Sequence, residues 1–271
     1  MRDEMFFAAS WPTGPLCARE ASDCLKKFFI GFSRVSPWGM PFDVSGTTAK
    51  QAHLEFSEDY SDFEEIVFKA MDNKDVRFFS ESNPDTMRLM PDSKTVYGFS
   101  CVFSDYPQRN RKKNMITINV DLGQNKENSL SSIVIHIPDY LPGQDNMAWS
   151  TSDMEKPQAI FDFLIESLGA YTCYLSSNSF RSSVLDRSID RYTLGWMSYT
   201  KNAKVIAALK DDPRTTEYKE GILVKLGDGV SVFEDEAVRE EAIKIRDKLR
   251  AAGAVDWMAE AERFMPSKDQ I

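Results

Sequence analysis

The spacing of apolar and polar positions divides this chain into segments with strand periodicity and segments with helix periodicity. Strand character is strongest in Thr95–Phe103, Asn114–Leu122 and Ser131–Pro138. In the second of these, apolar and polar residues alternate from Ile116 onward, which is the pattern of a strand with one buried face. Because the linkers between the three segments are polar and turn-forming, we expect an antiparallel meander.

Aromatic and β-branched residues predict an earlier strand over Lys26–Val35, which reads KKFFIGFSRV and is followed by Pro37. Residues 1–25 mix Pro, Gly and small side chains, and we expect little regular structure there beyond a short turn of helix. Three further strands are predicted in the second half of the chain, at Tyr171–Leu175, Thr193–Tyr199 and Gly221–Leu226.

Helices are predicted where apolar residues recur three and four positions apart. The segment Ser61–Met71 starts with Ser61 and Glu64 at the spacing of a capping box. The segment Glu155–Leu168 carries one apolar stripe and is followed by Gly169, which is a natural helix stop.

The final third of the chain is predicted to be helical, because apolar residues recur from Val238 to Ala252 and Gly253 follows them. A last short helix is predicted over Val255–Phe264. Strands and helices together predict an α+β fold, in which an antiparallel or mixed β-sheet packs with helices and the C-terminus is helical.

Length and composition place the chain among folded proteins. Its 271 residues are 42% hydrophobic and 12% aromatic, which is enough apolar material for a large core and too much for a disordered chain. A loop rich in Pro, Gly and Asp covers Asp139–Ser150. We expect either one domain over 1–271 or two lobes divided near 139–153.

The net charge of the chain argues against some classes of ligand. The formal net charge is -9, whereas nucleic acids and anionic membranes are bound by basic surfaces. We therefore expect no nucleic-acid and no membrane ligand, and a basic partner. No secretory signal or membrane-spanning run is visible, and four scattered cysteines without a Cys-x-x-Cys pair are expected to be free thiols. The expected compartment is the cytoplasm.

Catalytic motifs are missing from the sequence as a group. The two histidines, His53 and His136, have no neighbouring cysteine or histidine that would suggest a zinc site. No P-loop, dinucleotide fingerprint or Gly-x-Ser-x-Gly elbow occurs. Glu217-Tyr218-Lys219 imitates the acidic-x-lysine step of restriction-type nucleases. The possible first acids, Asp85, Asp92 and Asp139, lie too far before it for the usual hairpin, and the overall charge is wrong for a DNA enzyme. We expect no enzyme, no cofactor and no metal.

Residues 55–65 read EFSEDYSDFEE and hold six carboxylates and three aromatic side chains without a basic residue. Asp62, Glu64 and Glu65 are explained in part by the first turn of a helix, where the macrodipole favours negative charge. The other acids precede this turn. The interleaved aromatic side chains Phe56, Tyr60 and Phe63 are candidate anchors for a partner, and the alternative for Phe63 is a core position, since it shares the apolar face of the helix. The segment is either an ordinary solvated surface or a partner-binding patch. We predict a partner-binding surface formed by Glu55, Glu58, Asp59, Tyr60 and Asp62.

A family resemblance suggests what the partner is. The stretch Gly195-Trp196-Met197-Ser198-Tyr199, the apolar segment Gly221–Leu226 and the helix ending at Gly253 follow one another in an order that resembles the immunity protein 52 family of bacterial polymorphic toxin systems. The resemblance implies a cytoplasmic inhibitor of a restriction-endonuclease-like nuclease toxin, including toxins delivered by type VI secretion. It implies no catalytic residues.

The resemblance and the acidic segment converge on one hypothesis. A nuclease presents a basic cleft to DNA, and an inhibitor can fill that cleft with carboxylates in place of phosphates. Two alternatives stay open, namely a small-molecule hydrolase that uses a carboxylate pair and an acidic adaptor or secretion chaperone. The oligomeric state does not follow from the sequence.

Overall fold

The computed structural model describes residues 3–41, 43–45, 54–71, 91–92, 94, 97–104, 116–124, 130–140, 155–227 and 235–256. Within these ranges the chain forms ten strands and six helices, the last near the C-terminus, so the predicted α+β class is confirmed. The chain divides into two compact units. Unit A is Pro12–Ile135 with Met265–Ile271, and unit B is Met1–Trp11 with His136–Phe264.

The elements follow one another as β1 (Asp3–Trp11), α1 (Ala18–Val35), β2 (Asp43–Ser45), β3 (Leu54–Glu55), α2 (Phe63–Met71), β4 (Tyr97–Ser104), β5 (Thr117–Gln124), β6 (Ser131–Tyr140), α3 (Glu155–Leu168), β7 (Thr172–Ser177), α4 (Asn178–Val184), β8 (Met197–Thr200), α5 (Ala203–Leu209), β9 (Thr215–Tyr218), β10 (Gly221–Lys225) and α6 (Glu236–Ala251). None of these helices is long and apolar enough to cross a lipid bilayer.

Unit A begins with helix α1, so the strand predicted over Lys26–Val35 is wrong. The buried residues of α1 recur at the helix period: Ala18, Ala21, Ser22, Leu25, Phe28, Phe29 and Phe32. Packing of this face outweighs the strand preference of the individual aromatic and β-branched side chains. The helix begins with a capping box in which Cys17 Sγ accepts from the Glu20 N–H at 3.4 Å and the Glu20 carboxylate accepts from the Cys17 N–H at 2.9 Å.

The strands of unit A have the hydrogen-bonded order β3-β2-β4-β5-β6. Strands β4 and β5 are antiparallel, with Phe103 opposite Ile118, and β2 pairs antiparallel with both β3 and β4. The three strands predicted between residues 95 and 138 are therefore confirmed. Strand β6 contributes residues 131–135 to unit A and residues 136–140 to unit B.

Aromatic side chains form the core of unit A where α1 and α2 pack on each other and α2 packs on the sheet. The Phe29 ring lies 4.6 Å from Phe103 and 6.3 Å from Phe63, between ring centroids. Phe56 stacks on Phe63 at 5.0 Å. Because all four side chains are buried, this cluster fixes helix α2 and the segment before it against the sheet.

Within unit B the hydrogen-bonded strand order is β6-β1-β7-β8-β10-β9. Strand β1 pairs antiparallel with β7, with Met5 opposite Ser177 and Ala9 opposite Cys173. Residues 5–9 are all buried, which means that both faces of this strand are covered. The expectation of little regular structure over 1–25 is wrong, and the apolar run MFFAA was the signal for a buried strand.

The two long helices of unit B, α3 and α6, agree with the predicted periodicity. Helix α3 has the predicted bounds, and Gly169 after it has φ 59°. Helix α6 is followed by Gly253 at φ 66°. Strands β7, β8 and β10 lie within or beside their predicted ranges, whereas α4, α5 and β9 were not predicted. Apart from Val255 and Asp256, the last predicted helix lies outside the described residues. Most of residues 139–153, where a boundary between two lobes was predicted, also lie outside them.

The residues that carry the family resemblance lie at packing positions of unit B. A Cβ added at Gly195 would lie 1.9 Å from the carbonyl oxygen of Leu175. The Trp196 indole N–H donates to the Gly227 carbonyl at 3.2 Å, and the Trp196 carbonyl accepts from the Leu226 N–H at 2.9 Å. These contacts hold the start of β8 and the end of β10 together.

Candidate partner-binding surface

The acidic segment lies in unit A between strand β3 and helix α2, at the end of the strand order. Glu55 ends β3 and stands opposite Asp43 of β2. A turn over residues 56–62 follows, and α2 starts at Phe63. Four of the five predicted site residues therefore lie in one short turn at the sheet edge, namely Glu58, Asp59, Tyr60 and Asp62, and Glu55 ends the strand that leads into it.

Hydrogen bonds to two carboxylates shape this turn. The Asp62 carboxylate accepts from the Ser57 N–H at 3.0 and 3.1 Å and from the Ser57 hydroxyl at 2.7 Å. Asp59 Oδ1 accepts from the Ser61 N–H at 3.1 Å, from the Ser61 hydroxyl at 2.8 Å and from the Ser57 hydroxyl at 2.9 Å. The single hydroxyl proton of Ser57 is thus shared between two acceptors.

The same contacts keep both carboxylates ionised. The backbone N–H of Ser61, together with the hydroxyls of Ser61 and Ser57, lowers the pKa of Asp59 to about 2. Desolvation opposes ionisation of Asp62, but the hydrogen bonds from Ser57 outweigh it and lower the pKa of Asp62. Donors to a carboxylate favour its charged form, so two of the negative charges in the segment are stabilised locally.

Only one of the three aromatic side chains is placed to meet a partner. Phe56 and Phe63 are buried in the core of unit A, so neither anchors a partner. For Phe63 this confirms the alternative drawn from its place on the apolar face of the helix, whereas for Phe56 the anchor expectation is wrong. Tyr60 is half-buried, with its ring 5.8 Å from Phe56, and burial raises the pKa of its hydroxyl. Its φ of 54° lies in the left-handed region, which is uncommon for a residue with a large side chain.

The acids at the helix start are paired with basic side chains. Glu64 pairs with Arg19 of α1, and Arg19 also donates to Asp92 at 2.7 Å. Glu65 pairs with Lys69 one turn along α2. The predicted capping box between Ser61 and Glu64 does not form, because the Ser61 N–H that the Glu64 carboxylate would accept donates to Asp59 and the helix starts only at Phe63.

Glu55 and Glu58 differ from the other four acids of the segment. Both side chains are exposed, and no described residue donates a hydrogen bond to either. Of the six carboxylates in residues 55–65, only those of Glu55 and Glu58 are therefore open to a partner. Asp59 and Asp62 shape the turn.

The nuclease-like triplet Glu217-Tyr218-Lys219 lies at the hairpin of β9 and β10 in unit B, where its last two residues hold the hairpin to helix α3. The Tyr218 hydroxyl donates to Asp162 of α3, and the Lys219 ammonium pairs with Glu166 of the same helix. Burial and the bond to Asp162 raise the pKa of Tyr218. Elsewhere in the described part of the chain, no group of three His, Cys, Asp or Glu side chains is arranged to hold a metal ion.

Sequence reasoning missed the residues that support the surface. Ser57 and Ser61 form the turn with Asp59 and Asp62, and the pattern Ser-x-Asp-x-Ser-Asp was a readable signal, since these side chains hydrogen-bond to backbone groups a few residues away. Arg19 carried no such signal, because its contact with Glu64 depends on the packing of α1 on α2.

Comparison with known proteins identifies neither a partner nor a binding residue for this surface. No protein-family model matches the chain, and no curated protein matches it. Among solved structures, a Pseudomonas aeruginosa T6SS protein is similar, with a TM-score of 0.48 and 12% identity over 89% of this chain and 72% of that chain. Similarity of this order transfers neither a function nor a site residue, so membership of the immunity protein 52 family stays a prediction.

Proposed function

We propose that this chain is an immunity protein that binds an antibacterial nuclease toxin and neutralises it through Glu55, Glu58, Asp59, Tyr60 and Asp62. The supporting observation is that the side chains of Glu55 and Glu58 are exposed, accept no hydrogen bond from any described residue, and come within five residues of the half-buried Tyr60 in the sequence. The resemblance of the Gly195–Tyr199 and Gly221–Leu226 segments to an immunity family supplies the class of partner.

The mechanism is occlusion of a basic cleft. A nuclease holds DNA with arginine and lysine side chains, and carboxylates at phosphate-like positions compete for the same groups. Charge complementarity also accelerates association and steers it. The inhibitor itself performs no chemistry in this scheme, and its net charge of -9 keeps it away from the nucleic acid that it protects.

The residues of the surface have separate roles. Glu55 and Glu58 contact the basic groups of the toxin, and Tyr60 supplies apolar area with a polar end, as tyrosine commonly does at interfaces. Asp59 and Asp62 hold the turn through Ser57 and Ser61. A turn that is ordered before binding loses less conformational entropy on binding, which favours affinity.

Neutralisation is tested by producing the chain together with the product of the neighbouring gene, which this proposal expects to be a nuclease toxin. We expect the cells to survive and the two proteins to co-purify. If the protein neither binds nor protects, the immunity proposal is overturned. A toxin that still binds DNA within the complex would overturn occlusion and leave inhibition by another route.

The surface is tested by charge reversal at the two open carboxylates. Glu55→Lys with Glu58→Lys should weaken toxin binding by about 100-fold or more, measured by titration calorimetry. The matched control is Glu217→Lys with Glu240→Lys, two exposed positions of unit B. Each Glu→Lys change adds two charges, so both variants carry -9 + 4 = -5.

The comparison of the two variants has three outcomes. Selective loss in the first variant supports the surface. Unchanged affinity in the first variant places the interface elsewhere, and equal loss in both assigns the effect to overall charge. Reversal of Asp59 or Asp62 would be a poorer test, because it also removes the acceptors that shape the turn.

A further inference from the structure

We draw no further inference here: the strongest candidate, the outer edge of strand β9 (Thr215–Tyr218) at the end of the strand order of unit B, is a four-residue sheet edge, and nothing in the described residues shows what covers it.

Discussion

The carboxylate of Asp62 accepts hydrogen bonds from both the backbone N–H and the hydroxyl of Ser57, at 3.0 and 2.7 Å. This contact closes the turn that presents Glu58. Asp62 is one of six neighbouring acids, which repel one another. Hydrogen bonds from donors favour the ionised form of a carboxylate, so the bonds from Ser57 offset part of this repulsion and stabilise the fold.

Removal of the Asp62 acceptor should loosen the turn. We expect Asp62→Ala to lower the free energy of unfolding by about 1 kcal/mol, because the Ser57 N–H loses its acceptor while the Ser57 hydroxyl keeps Asp59, and to lower the melting midpoint by about 2–4 °C. Asp62→Asn should lose less, since its amide oxygen still accepts. Glu58→Ala is the exposed control and should change the midpoint little. Calorimetry separates these cases, and equal midpoints for Asp62→Ala and Glu58→Ala would contradict the role of Asp62.

Asp59 should titrate well below an ordinary aspartate. Its pKa in the folded protein is about 2, whereas an unperturbed aspartate has a pKa of about 3.9. Because the folded pKa is the lower one, the stabilisation by ionised Asp59 is complete above pH of about 4 and is lost as the pH falls towards 2. Carboxyl-carbon NMR titration measures the pKa directly.

The cause of the Asp59 shift is tested in the same experiment. Ser61→Ala removes one hydroxyl donor and should raise the pKa of Asp59, although the backbone N–H of residue 61 keeps part of the effect. A wild-type pKa near 4 would show that the turn is open in solution.

Gly195 should tolerate no side chain. An added Cβ would lie 1.9 Å from the carbonyl oxygen of Leu175 and 2.7 Å from its carbon, so strand β7 would have to move. We expect Gly195→Ala to cost about 3 kcal/mol of unfolding free energy, measured by urea denaturation.

Gly253 provides the matched control for Gly195. Its added Cβ meets nothing within 4 Å, but its φ is 66°, and an alanine there costs about 1–2 kcal/mol from backbone strain alone. If both substitutions cost the same, the close approach of Gly195 to Leu175 does not determine stability.

Lys219 should be less favourable in its turn than glycine. It has φ 52° in the two-residue turn between β9 and β10, where glycine is the default residue. Both Lys219→Ala and Lys219→Gly lose the ion pair with Glu166, so the two variants differ only by the Cβ methyl group and its effect on the backbone conformation. We expect the melting midpoint of Lys219→Gly to exceed that of Lys219→Ala by about 2–4 °C. The reverse order, which is usual elsewhere in proteins, would contradict the turn geometry.

The periodic segments of the chain were predictable and the segments shaped by distant contacts were not. Helix α3 and the strand pair β4 and β5 carry clear patterns, and their positions were predicted to within a few residues. Helix α1 was misread because four phenylalanine and isoleucine side chains near its end resemble a strand when the first half of the helix is left out. Seen from Ala18 onward, the spacing of three and four is unmistakable.

The candidate surface was also predictable only in part. The concentration of acids at residues 55–65 and the helix that follows it were visible in the sequence, because composition and periodicity are local. The burial of Phe56 and the pairing of Glu64 with Arg19 were not visible, because both depend on residues far away in the chain.

By itself, the sequence determined the α+β class, most of the strands and helices, the negative charge and the position of the acidic segment. Each of these follows from the order of side chains within a few turns or strands. Only the tertiary structure decided which acids are open, since that depends on the donors that folding brings to each carboxylate. Ser57 and Ser61 engage Asp59 and Asp62, basic side chains engage Glu64 and Glu65, and Glu55 and Glu58 remain exposed.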